Sequence, residues 1–193
     1  DSYKWEKIDI GEGHWLYGIT YQNNNYYTVG NNGFIAKSTN GIDWEFINSG
    51  VNDELWDITF GNGVFVIVGR NGVILVSKNG DDWEKINLEH KVVLHGVTFG
   101  KDIFVSVGEN GVILFSSDGR IWTKQVTQSS AKFTDIIYAN NKFITVSDAI
   151  YTSKFGRIWT RRKNANGFLT GITYGNDLFV VTDLNGSALS SKD

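Results

Sequence analysis

The chain has 193 residues, 41% of them hydrophobic and 14% aromatic, which suits one domain with a substantial core and excludes a disordered tail. Its formal net charge of −3 argues against a nucleic-acid partner, whose binders carry a basic face. The absence of cysteine excludes disulfides and thiolate metal sites, and no apolar run approaches the roughly 18 residues of a membrane span, so no membrane insertion is expected.

Methionine is absent as well, even at the first position, so the chain is expected to begin inside a longer precursor. Removal of a signal peptide would account for that and would place the protein outside the cell or at its surface, although no targeting segment is visible. There is no proline, and 22 glycines leave the turns to Gly, Asn and Asp.

In chain order the sequence repeats one series of elements. Trp5 opens it, and a strand is predicted over residues 16–21. The same strand recurs at 55–60, 94–99, 133–138 and 169–174. A turn rich in Gly, Ala, Asn, Lys and Gln follows, then a strand seen at 65–69, 104–108 and 143–147. The turn Glu109-Asn110-Gly111 leads to a further strand at 112–116, its Asn-Gly pair tolerating the positive φ that such hairpins need. Each unit closes on a tryptophan: Trp44, Trp83, Trp122 and Trp159 follow Trp5 at spacings of 39, 39, 39 and 37.

A period near 40 with several short strands per unit is the signature of a β-propeller. From Trp159 through the C-terminus and back to Trp5 is again 39 residues, so one all-β domain over residues 1–193 is predicted, a ring of five four-stranded antiparallel blades. Ser191-Lys192-Asp193 ends the chain and Trp5 begins it, so the N-terminal segment is expected to supply the outer strand of the last blade and leave no unpaired join.

The closing segment Ser116-Ser117-Asp118-Gly119-Arg120-Ile121-Trp122 and its counterparts at 38–44, 77–83 and 153–159 share the pattern Ser-x-Asp-Gly-x-x-Trp. Asn40, Asn79 and Phe155 depart from it. The pattern resembles the Asp-box of the sialidase-type and photosystem-assembly-type propellers, and the resemblance extends along the whole chain. It implies a structural hairpin remote from any active site. The photosystem-assembly likeness implies a protein-binding scaffold. The sialidase likeness implies an arginine triad and a tyrosine nucleophile, but of Arg70, Arg120, Arg157, Arg161 and Arg162 only Arg70 falls where a site would be, so that activity is rejected.

Five copies in one chain separate positions held by the blade from positions left free. The columns Ile19, Ile58, Val97, Ile136, Ile172 and Tyr21, Phe60, Phe99, Tyr138, Tyr174 and Tyr26, Phe65, Phe104, Phe143, Phe179 are expected to pack between blades. Variation collects just before and at the start of the inner strand, at Tyr17, Trp56, His95, Thr134 and Thr170 and then at Gly18, Asp57, Gly96, Asp135 and Gly171. It also collects at the middle turn, at Asn31, Arg70, Glu109, Asp148 and Leu184.

In a ring these positions converge on the mouth of the central channel. The candidate ligand-binding set is therefore Tyr17, Trp56, His95, Arg70, Glu109, Asp57, Asp135 and Asp148, with Trp15, which like Trp56 lies outside the repeat. Aromatic faces beside hydrogen-bonding groups suit a glycan or a protein partner, and a non-catalytic, monomeric binding module is the leading expectation. A glycoside hydrolase using Asp57, Asp135, Glu109 and Asp148 is the enzymatic alternative, and a structural scaffold is another. His14, His90 and His95 lack ligand spacing, and the Gly30–Gly33 turn precedes no helix, so neither metal nor cofactor is expected.

Overall fold

The computed structural model describes residues 4–89, 91–125, 129–165 and 167–192. His90 and Asp193 lie outside the described residues. Five antiparallel sheets follow one another along the chain. The first holds β1 (Leu16–Gln22), β2 (Asn25–Gly30), β3 (Ile35–Ser38) and β4 (Glu45–Ile47). The second holds β5 (Leu55–Gly61), β6 (Val64–Gly69), β7 (Ile74–Ser77) and β8 (Glu84–Ile86). The third holds β9 (Leu94–Gly100), β10 (Ile103–Gly108), β11 (Ile113–Ser116) and β12 (Thr123–Gln125). The fourth holds β13 (Asp135–Ala139), β14 (Lys142–Val146), β15 (Ala149–Ser153) and β16 (Thr160–Asn164). The fifth holds three strands, β17 (Leu169–Gly175), β18 (Leu178–Asp183) and β19 (Ala188–Ser191).

Within each sheet the strands pair in chain order, so every connection is a hairpin. The turns are made by local chemistry. Asn32, Asn71 and Asn110 sit at φ 53, 57 and 55, and the glycines after them at 69, 75 and 68, the left-handed pair expected of Asn-Gly. Strands such as β6 (VFVIVG) are buried along their whole length, because sheets cover them on both faces.

The core is a series of joints between successive sheets. Tyr27, Val29 and Ile35 of the first pack on Leu55, Ile58, Phe65 and Ile67 of the second. Val66, Val68 and Ile74 then meet Leu94, Val97 and Phe104. Val105, Val107 and Ile113 meet Phe133, Ile136 and Phe143, and Ile144 and Val146 meet Leu169, Ile172 and Phe179. A fully buried Phe in such a joint contributes roughly 1.5–3 kcal/mol.

Two expectations are changed by this arrangement. In the second to fifth sheets the isoleucine/valine column and the Phe65, Phe104, Phe143, Phe179 column are buried and the Phe60, Phe99, Tyr138, Tyr174 column is partly buried, but in the first sheet Ile19 is 66% and Tyr21 56% exposed against 4% for Ile58. Each column faces the preceding sheet, and none precedes the first among the described residues. Nor does the N-terminal segment complete the fifth sheet: Lys4–Asp9 form no strand, Trp5 is 96% exposed, and β19 ends a three-stranded sheet.

The closing turns share one hydrogen-bond pattern. Asn40 Oδ1 accepts the N–H groups of Ile42 and Asp43, both at 2.9 Å, and Ser38 Oγ donates to it at 3.1 Å. Gly41 N–H donates back to Ser38 Oγ at 2.8 Å, and Trp44 Nε1–H donates to the Gly41 carbonyl at 3.1 Å. Asn79 and Asp118 repeat this in the second and third turns. In the fourth, Trp159 still reaches Gly156 at 3.2 Å, but Phe155 offers no acceptor and the buried Ser153 Oγ has no partner.

Candidate functional site

The inner strands β1, β5, β9, β13 and β17 stand in sequence, each packed beside the next. Their starts hold the variable columns, and two neighbouring columns meet. The Trp56 indole on β5 and the His95 imidazole on β9 lie parallel, with ring centroids 4.4 Å apart and planes 1° from coplanar. His95 Nε2 is 3.6 Å from Glu109 Oε1, beyond hydrogen-bond reach, and is buried without a partner. Lys132 approaches the same Glu109 oxygen at 3.4 Å. Burial, then the Lys132 charge, hold the His95 pKa below its ordinary value, so the ring is neutral at neutral pH. A partly buried aromatic stack, a buried imidazole nitrogen with spare capacity and flanking charges make a surface that can take both an apolar face and a hydrogen-bonding group.

On the adjoining side Arg70 Nη1 lies 3.6 Å from Glu54 Oε2. Partial desolvation, then the Glu54 charge, raise the Tyr17 phenol pKa. Tyr17 lies near the start of β1, Glu54 just before β5 and Arg70 just after β6, so all three stand at the same end of the inner strands as the Trp56–His95 stack. Glu54 and Lys132 precede the inner strands of their repeats and were not singled out in sequence, because neither occupies a column that the other repeats make conspicuous.

Asp57 and Asp135 have a structural role in the joints between sheets. Inner strands are edge strands, and their outward N–H groups need acceptors. Asp57 Oδ1 accepts Ile58 N–H and its Oδ2 accepts Val97 N–H of the next sheet, each at 2.8 Å. Asp135 repeats the device on Ile136 at 2.7 Å and Ile172 at 2.9 Å. These carboxylates staple adjacent sheets, and both oxygens of each are engaged. Burial, opposed by the two amides and reinforced by Asp135, pushes the Asp57 pKa up to about 7. Burial likewise raises that of Asp135.

Asp148 and Trp15 also stand apart from the stack. Asp148 Oδ2 pairs with Arg161 Nη2 of β16 at 2.7 Å, and Tyr151 donates to its other oxygen at 3.4 Å. Trp15 N–H donates to Asn31 Oδ1 at 2.8 Å, while its indole is 69% exposed. Among the described residues no three His, Cys, Asp or Glu side chains are grouped to hold a metal ion.

The fold has well-defined relatives. A solved structure titled "YCF48 bound to D1 peptide" aligns over 97% of this chain and 66% of its own, with TM-score 0.72 and 16% identity. YCF48 from Cyanidioschyzon merolae aligns over 95% of this chain and 69% of its own, with TM-score 0.75 and 17% identity. A chain of a nidogen/laminin complex aligns over 91% and 74%, with TM-score 0.72 and 11% identity. The chain therefore spans about two thirds of the YCF48 structures it resembles. No curated protein sequence matches it. Residues 1–164 match the family described as photosynthesis system II assembly factor YCF48, so the chain belongs to that family and carries its BNR-type propeller repeats.

Proposed function

We propose that the chain is a non-catalytic scaffold that binds a segment of a partner polypeptide across the Trp56–His95 stack. The observation that carries this is the buried His95 Nε2, unpartnered beneath a partly buried indole and flanked by Glu109 and Lys132. A peptide supplies what such a surface lacks: a backbone carbonyl or amide for the imidazole and a side chain for the indole face. The relative solved with a D1 peptide supports a polypeptide as the class of partner. Hydrolysis by paired carboxylates is less well supported, because Asp57 and Asp135 have their oxygens engaged by backbone amides.

Selection from a displayed peptide library tests the proposal. Binders of the wild-type chain are expected to lose about tenfold or more in affinity against Trp56→Ala, as central aromatic anchors do. Most of the indole is buried, so Trp56→Ala should also lower the melting temperature, and the affinity is compared well below that transition, where both proteins are folded. Binders indifferent to Trp56→Ala and to His95→Ala would place the partner elsewhere.

A further inference from the structure

On the side of the closing turns, the fourth sheet and the third enclose an open groove of about 780 Å³. Five cations line it: Lys101, Lys142, Lys154, Arg157 and Arg162. Phe155 stands among them, 58% exposed. No acidic side chain lines the groove, and Asp102, beside Lys101 in the chain, is not part of the wall. This concentration of positive charge occurs in a chain whose net charge is −3.

The repeats show how local the feature is. At the fifth position of the closing turn, Arg120 of the third turn pairs with Glu84 of β8 at 2.6 Å. Arg157 is its counterpart one sheet on, but Thr123 stands where Glu84 stood, and Arg157 instead lies over the Phe115 ring at 5.1 Å. In the first sheet Lys37 is matched by Asp81 and Glu45. Among the described residues none of the five groove cations has an acidic partner. They are held by rings and a hydroxyl: Lys101 and Lys154 lie 5.1 and 5.4 Å from the Phe155 centroid, Lys142 lies 4.9 Å from that of Phe179, and Arg162 Nε–H donates to Thr152 Oγ1 at 2.8 Å.

A second observation lies in the groove wall. Ser153 Oγ is buried there without a partner, because Phe155 has replaced the acceptor that binds it in the other turns. The same substitution removes a capping group and exposes an aromatic ring.

We propose that this groove docks an acidic polypeptide segment bearing an apolar side chain. Its carboxylates would meet the cations, and its apolar side chain would lie on Phe155. Cations left without acids raise the local potential and favour an acidic partner, and an exposed ring among them supplies the apolar anchor. The groove shares no residue with the Trp56–His95 surface, so the two proposals stand or fall separately.

The test uses the full chain and a synthetic octapeptide of Asp and Glu with two Phe, beside a control with Lys replacing every acid. Binding is read by calorimetry at low and moderate salt. The acidic peptide is expected to bind, more weakly as salt rises, while the Lys control does not. Lys154→Glu with Arg157→Glu should weaken it about tenfold or more, at an unchanged melting temperature. Phe155→Ser should weaken it with every charge intact, and Trp56→Ala should not. Absence of binding, or equal binding by the charge-reversed variant, overturns the proposal. So does tighter binding of an RNA oligomer or of phosphatidylserine vesicles competing for the same groove.

Discussion

Phe155→Asp would restore to the fourth closing turn the acceptor that the other three possess. By analogy with Asp118, the new carboxylate would accept the N–H groups of Arg157 and Ile158 and the hydroxyl of Ser153. Three recovered hydrogen bonds, two of them exposed, stabilise by about 2–3 kcal/mol in total at roughly 1 kcal/mol each. Against this, a ring already 58% exposed gives up under half of a full burial, about 1 kcal/mol. The contacts of Lys101 and Lys154 with that ring add a loss of about 0.5 kcal/mol each at such a site. The balance is stabilisation by up to about 1 kcal/mol, or a rise of roughly 2–4 °C in melting temperature for a chain of this size. The reciprocal change, Asp118→Ala, removes three such bonds and should cost about 2 kcal/mol. Both are read by thermal and urea denaturation at pH 7. A fall of several degrees for Phe155→Asp would show that the ring is packed in a way its exposure conceals, and would refute the comparison between turns.

Three further outcomes follow from the fold. The Asp57 carboxyl has a folded pKa of about 7 against an ordinary 3.8, so the folded state binds more protons than the unfolded state between those values. Its contribution therefore favours folding at low pH and is lost as pH rises through about 7; the difference in stability between wild type and Asp57→Asn should shift against wild type from pH 5 to pH 8, and a pH-independent difference would contradict it. Deleting residues 1–9 should leave the melting temperature within a degree or two, because Trp5 is exposed and pairs with no sheet; a large loss would revive closure by the N-terminal segment. Ile19→Ser should cost under about 1 kcal/mol while Ile58→Ser costs several, since only the second lies in a packed joint; equal costs in denaturant titration would mean that the first sheet is covered in solution.

Much of the architecture was legible because it is written five times. The tryptophan period marked the units, and the Asn-Gly pairs at 32–33, 71–72 and 110–111 marked turns whose positive φ the structure bears out. Burial of a column, however, belongs to two neighbouring sheets, so repetition alone could not show that Ile19 and Tyr21 lack a cover. The Trp56–His95 stack was half legible, as equivalent positions in adjacent repeats. Asp57 and Asp135 were visible as departures but looked like ligand groups, because a carboxylate that caps a strand edge and one that awaits a substrate have the same letter. The cationic groove draws its side chains from several different positions of the repeat, and only Phe155 announced it.

The staples have a counting consequence. Along the inner strands the position after the variable column reads Gly18, Asp57, Gly96, Asp135, Gly171. Each aspartate joins its own sheet to the next, so the second joint and the fourth carry this staple and the first and third do not. At the first joint glycine does the complementary work: a Cβ on Gly18 would stand 3.0 Å from the Asp57 Cα. The rim therefore alternates with a period of two sheets, overlaid on the one-sheet period of the tryptophans. Alternation of that kind closes on itself only around an even number. Were these five sheets bent into a ring unaided, Gly171 would meet Gly18, and two joints without the staple would fall side by side. Parity thus leaves the first sheet as the one member of such a circle without a staple on either side.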